Sequence, residues 1–190
     1  REKDNPQLIF ESLNSTGLEL TQADLVRNYI LMGLEKEEQE NLYTDYWFPM
    51  EKSFGHAEYS DLFDRFMRDY LTIKTGKIPN IRDVYSAFKI YAQKFKSMKE
   101  LVAEINKYSK YFVNMALGKE QDVKIKEVFN DINNLKVDVS YPFLMKAYED
   151  YEEGRISKEE LIELLKYLES YVFRRAICGI PTNSLNKTFA

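Results

Sequence analysis

Apolar residues recur along this chain at three- and four-residue steps, and the recurrences are separated by short breaks rich in Gly, Pro and capping residues. Val84, Ala87, Phe88, Tyr91 and Phe95 predict one helix, opened by Asn80 just after Pro79. Leu101, Ile105, Tyr108, Phe112 and Met115 predict the next, with Ser97 and Glu100 at capping-box spacing and Gly118 at its end. Further stripes run through Leu62, Phe63, Phe66, Met67 and Tyr70, capped by Ser60, and through Ile125, Val128, Phe129, Ile132 and Leu135. Pro142 opens a helix with Phe143, Leu144, Ala147, Tyr148 and Tyr151 inward, stopped by Gly154. Ser157 and Glu160 cap the last long one, with Leu161, Leu164, Leu165, Leu168 and Val172 inward.

The first part of the chain is denser in polar signals. Pro6 to Leu13 reads as a short apolar helix, followed by an Asn14-Ser15-Thr16-Gly17 turn. Thr21 and Asp24 have capping-box spacing and start a helix whose predicted inner face is Leu25, Asn28, Tyr29 and Met32. A charged segment leads to Tyr46-Trp47-Phe48-Pro49, and Pro49 is expected to stop any helix there. Only Lys136 to Val139 hints at a strand. The fold class that follows is mainly α, a helical bundle of about eight helices. The seam between an N-terminal part, 1–55, and the bundle, 56–190, is expected near Gly55.

Composition narrows the chemistry. His56 is the only histidine and Cys178 the only cysteine, so no His-rich or Cys-cluster metal site can be built. Cys178 reads as a small core residue at the end of an apolar helix, and a single cysteine fits a reducing, cytoplasmic setting. No GxxxxGK[ST] loop, GxGxxG or GxSxG occurs, and no apolar run approaches the ~20 residues that cross a bilayer. The net charge is −4, yet Arg65 to Lys126 holds 14 Lys and Arg against 6 Asp and Glu, leaving 13 against 25 elsewhere. Lys89, Lys94, Lys96, Lys99, Lys107 and Lys110 alternate there with Tyr85, Tyr91, Tyr108 and Tyr111. That mixture suits a nucleic-acid backbone with base stacking, and equally the solvated faces of amphipathic helices. Lys94, Lys96, Lys99, Arg174 and Arg175 are the candidate DNA contacts.

The strongest candidate site is the opening turn. Glu11 and Asn14, three apart, share a side if the segment is helical. Thr16 adds a hydroxyl, Gly17 a position free to take positive φ, and the helix beginning at Thr21 offers amides that favour an anion. Glu11, Asn14, Thr16 and Gly17 are therefore the candidate nucleotide- or phosphate-binding residues. The same run also reads as a plain corner in which Asn14 bonds its own backbone.

Phe10-Glu11-Ser12-Leu13-Asn14-Ser15-Thr16-Gly17-Leu18-Glu19-Leu20 resembles the F-E-x-L/I-N-x-x-G-x-x-L signature of the GmrSD-type restriction endonuclease family. Asp24-Leu25-Val26-Arg27-Asn28 resembles its continuation. Phe173-Arg174-Arg175-Ala176-Ile177-Cys178 resembles the stretch that leads to the family's HNH nuclease domain. The resemblance implies a parent with a ParB-like NTPase domain and an HNH nuclease, acting on DNA with NTP and Mg2+. Only Phe10, Glu11, Asn14, Gly17 and Leu20 carry over to the first motif. The family's Asp-Gly-Gln-Gln-Arg motif and the HNH residues are not in this chain, which also begins at Arg1 rather than Met. The expectation is thus a middle fragment of a larger multidomain protein, flanked by upstream and downstream domains and without catalytic residues, metal site or membrane partner of its own. The alternative is a non-catalytic helical module that binds protein or DNA.

Overall fold

A computed structural model describes residues 20–32, 34–55, 59–181 and 185–189. The fold is mainly α, and no strand occurs among the described residues. Helix α1, Gln22–Leu31, starts with the expected capping box: the Thr21 hydroxyl accepts from the Asp24 amide, and the Asp24 carboxylate accepts from the Thr21 amide. Its buried residues are Ala23, Leu25, Val26 and Ile30, not the face predicted through Asn28, Tyr29 and Met32. Tyr29 is half-buried instead, its ring edge-on to Tyr85 and Phe88. Aromatic packing on the flank of α1 therefore mimics a core stripe in the sequence.

Helix α2, Lys36–Leu42, passes through a π turn, Tyr43–Trp47, directly into α3, Phe48–Phe54. The dihedrals at Leu42, Tyr43, Trp47 and Phe48 are all right-handed helical, so the run is continuous. Pro49 does not stop it. The Phe48 amide bonds back five residues to the Tyr43 carbonyl, and this wider turn leaves room for a ring that has no N–H to offer.

Helix α4, Tyr59–Thr75, already includes Ser60, so Ser60 is not its cap; Gly76, at φ 66°, ends it. Asn80 accepts from the Arg82 amide and opens a 3-10 turn, Ile81–Asp83, that runs into α5, Val84–Ala92. Phe95 lies beyond the end of α5. Helices α6, Met98–Ala116, and α7, Val123–Asn134, follow, the latter capped by Asp122. The Lys136 to Val139 stretch is not extended: Lys136 takes φ 54° and Asp138–Ser140 forms a 3-10 turn. Helix α8, Tyr141–Glu152, carries Pro142 in its first turn, and α9, Lys158–Ile177, has the predicted Ser157–Glu160 box. A short α10, Leu185–Thr188, completes the order.

The described residues fall into two compact units. One comprises those up to Leu71 with Pro79–Asn106, and the other Thr72–Ile78 with those from Lys107 onward. In the first, a run of rings forms the core: Trp47 and Phe54 on Phe63, Phe54 on Phe66, Phe66 on Tyr70, and Tyr70 on Tyr91, with centroids 5.3–6.1 Å apart. In the second, α9 packs against α7 and α8, and Tyr148 contacts both Tyr111 and Phe129. Phe189 lies against Phe143 and Tyr171 there. Among the described residues no helix is long and apolar enough to cross a membrane.

Candidate functional site

Leu20, the last residue of the opening motif, leads straight into the cap of α1. Polar groups from three other helices, two side chains and one backbone amide, converge there. Asp64 on α4 accepts from the Ala23 amide at 2.8 Å and also from the Gln22 amide. Arg27, one turn along α1, bridges Asp24 at 2.9 Å and Glu51 on α3 at 3.0 Å. The same Glu51 oxygen accepts from the indole of Trp47, a fully buried residue, at 2.9 Å. Gln22 accepts from the Tyr85 amide of α5 at 2.8 Å. The start of α1 is thereby tied to α3, α4 and α5.

This arrangement changes what α1 can do. Its first amides at Gln22, Ala23 and Asp24 are taken by Asp64 and Thr21. Burial, and after it the nearby charges of Asp61 and Asp24, push the Asp64 carboxyl up to about 6 despite the amides it accepts from. The first amides of α1 are therefore already bonded within the chain and stand among carboxylates. Glu11, Asn14, Thr16 and Gly17 lie outside the described residues, as does His56. Among the described residues no group of three His, Cys, Asp or Glu is placed to hold a metal ion. Asp24, Glu51 and Asp64 are already engaged by Arg27, Trp47 and the α1 amides.

The basic middle is only half of what its composition suggested. Tyr85, Tyr91, Tyr108 and Tyr111 are buried, each 7% exposed or less, so they offer no platform for stacking bases. Several lysines lie over these rings from the solvent side: Lys89 over Tyr85, Lys94 over Tyr91 and Lys74 over Tyr108. Lys107 is paired with Glu149 and Glu153. Lys94, Lys96 and Lys99 are exposed. Lys99, however, lines a shallow cavity of about 570 Å³ with Glu35, Glu37, Glu38 and Asp45, which lowers its value to a phosphate. Arg174 is exposed at the end of α9. Arg175 is half-buried, donating to the Pro181 carbonyl at 2.7 Å and the Tyr171 hydroxyl at 3.2 Å.

Cys178 is exposed rather than a core residue. The buried stripe of α9 ends at Val172, and Phe173, Ala176, Ile177 and Cys178 continue the apolar pattern into solvent.

Three polar networks were not anticipated. Tyr70 and Tyr91 both donate to one Glu104 oxygen, the latter at 2.8 Å. Burial first, and then the Glu104 carboxylate, raise both phenols, Tyr91 to about 12. Tyr148 donates to buried Glu120, which also accepts from the Asp122 amide at 2.7 Å. Buried Glu149 is gripped by Lys107 at 2.9 Å and Lys146 at 2.7 Å. Burial opposes its ionisation, but the hydrogen bonds from Lys146, Lys107 and Tyr108 prevail and lower it to about 2. One signal was available: Glu104 stands three after Leu101 and four before Tyr108, on the stripe assigned to the core. All three networks are internally satisfied and hold helices together. No protein-family model, curated protein or solved structure matches this chain.

Proposed function

We propose that the chain is the helical region of a GmrSD-like, NTP-dependent DNA restriction endonuclease of anti-phage defence, and that it is not catalytic alone. The reading rests on the Phe10 to Leu20 run and its continuation through Asn28. The observation that carries it is the use made of that continuation: Asp24 and Arg27 pair with each other, and Arg27 reaches Glu51. Residues of the resemblance thus anchor the segment that follows the motif.

On this reading Glu11 and Asn14 line a phosphate or metal-water site, Thr16 adds a hydroxyl and Gly17 permits the turn. The rest of the nucleotide pocket comes from an upstream domain. Lys94, Lys96, Lys99, Arg174 and Arg175 contribute charge toward DNA within the whole enzyme, which works in the cytoplasm.

The test restores the upstream sequence and measures NTP hydrolysis. Glu11→Ala and Asn14→Ala are each expected to lower turnover by about 100-fold or more, as loss of a group aimed at the reacting phosphate does. Parental turnover in both variants, with unchanged helicity, would overturn the assignment. The rival reading, a stand-alone interaction module, instead predicts salt-dependent DNA binding by this chain with no dependence on Glu11 or Asn14.

A further inference from the structure

Helix α9 buries Leu161, Leu165, Leu168 and Val172. On the opposite side Glu159, Glu163, Tyr167, Ser170, Arg174 and Ile177 follow one another at three- and four-residue steps, which makes a single stripe along the helix. Tyr167 is 68% exposed and Ile177 70%, with Phe173 at 52% beside them. Single exposed apolar residues are ordinary; three large ones along one side of one helix are not. The Tyr167 hydroxyl donates to Glu163 at 2.7 Å, which lays the ring along the stripe.

The charges on this stripe are segregated. Glu159 and Glu163 stand in the first half and Arg174 in the last turns. The helix dipole favours that order, but it does not account for the exposed Tyr167 and Phe173 between the two ends or for Ile177 past Arg174. Such a stripe complements itself when a second copy runs antiparallel to it. With Glu163 opposite Arg174 of the second copy, twofold symmetry sets Arg174 opposite Glu163, and the bulky Tyr167 meets the small Ser170 in both halves. A parallel pairing would set carboxylate against carboxylate.

We infer that the outer face of α9 is a homodimer interface, with a second copy of this chain as its occupant. The inference does not depend on the proposed enzymatic role. It is tested on the whole chain by sedimentation and light scattering from about 1 to 200 µM, the range in which a modest interface saturates. The expected mass rises from 22.5 kDa toward twice that value, and rises less at high salt. Ile177→Asp is expected to raise the dissociation constant at least about tenfold, without affecting the fold because the side chain is outside the core. Glu163→Arg and Arg174→Glu should each weaken the dimer, and the two together should restore it.

A constant monomer mass would overturn the inference, as would a dimer indifferent to Ile177→Asp or a double charge swap that restores nothing. So would a monomer in which Ile177→Asp abolishes binding to some other macromolecule, since the face would then have another occupant.

Discussion

The Asp64 carboxylate accepts the Ala23 amide at 2.8 Å across 41 residues of sequence, fixing the first turn of α1 to α4. It does so at a cost. The raised pKa means that the folded chain holds this proton more tightly than the unfolded chain, whose carboxyl titrates near 3.8. The stability that Asp64 contributes is therefore greatest below that value and is lost as pH rises through about 6. Asp64→Asn keeps an oxygen for the amides and removes the charge. It should exceed the parent by about 1 kcal/mol above neutral pH, a figure discounted for partial solvent exposure, and match it in acid. Urea melts across this range check the sign; a gap independent of pH would contradict it.

Glu149 carries the opposite sign. Its pKa is lowered to about 2 from an ordinary 4.5, so its contribution is present above 4.5 and lost as pH falls toward 2. Glu149→Gln should cost about 2 kcal/mol at neutral pH, because Lys107 and Lys146 lose their shared acceptor. That cost should shrink in acid, and thermal melts at several pH values measure it.

Tyr148→Phe and Tyr91→Phe form an informative pair. Removing the Tyr148 hydroxyl leaves the buried Glu120 carboxylate with one fewer donor, and about 2 kcal/mol should be lost. Removing the Tyr91 hydroxyl leaves Glu104 still bonded to Tyr70, so the loss should be nearer about 1 kcal/mol. Equal losses in denaturant titrations would show that the remaining donor does not compensate.

For DNA, burial of the four tyrosines leaves charge as the contribution of the basic middle. Replacing Lys94, Lys96 and Lys99 together by Ala should flatten the dependence of log affinity on log salt by up to about 3. It should do so equally for different sequences. Fluorescence anisotropy on two unrelated duplexes tests both statements, and a sequence-dependent loss would point to base readout instead.

What the sequence disclosed was local. Two of the three predicted capping boxes, at Thr21–Asp24 and Ser157–Glu160, form as read, whereas the Ser97 hydroxyl accepts from the Lys99 amide instead. Most of the buried stripes of α5 to α9 were legible too, because a helix has one period and a core has one side, although Phe143, expected inward on α8, is exposed. Asp64 as a partner of Ala23 was not legible, since no local pattern announces an acceptor on another helix. Cys178 was misread for a related reason: apolar spacing says which side of a helix faces inward, but not where its neighbours end. The ties from the first turn of α1 to α4 and α5 are likewise long-range hydrogen bonds, across 41 and 63 residues, that no local pattern announces.

The π turn at Tyr43–Trp47 has a consequence for how this chain tolerates change. Leu42, Trp47, Met50 and Phe54 are all buried although Leu42 and Trp47 are five apart, a step that would place them on different sides of a regular helix. The turn works as a phase shifter, absorbing one surplus residue so that the side chains before and after it reach the same core. Removing a single residue at Tyr43 or Thr44 would cancel the shift and leave an unbroken helix with its inner side preserved. Removing two would rotate everything after it, so that Glu51 would lose the position from which it reaches Arg27, and Trp47 its place in the core.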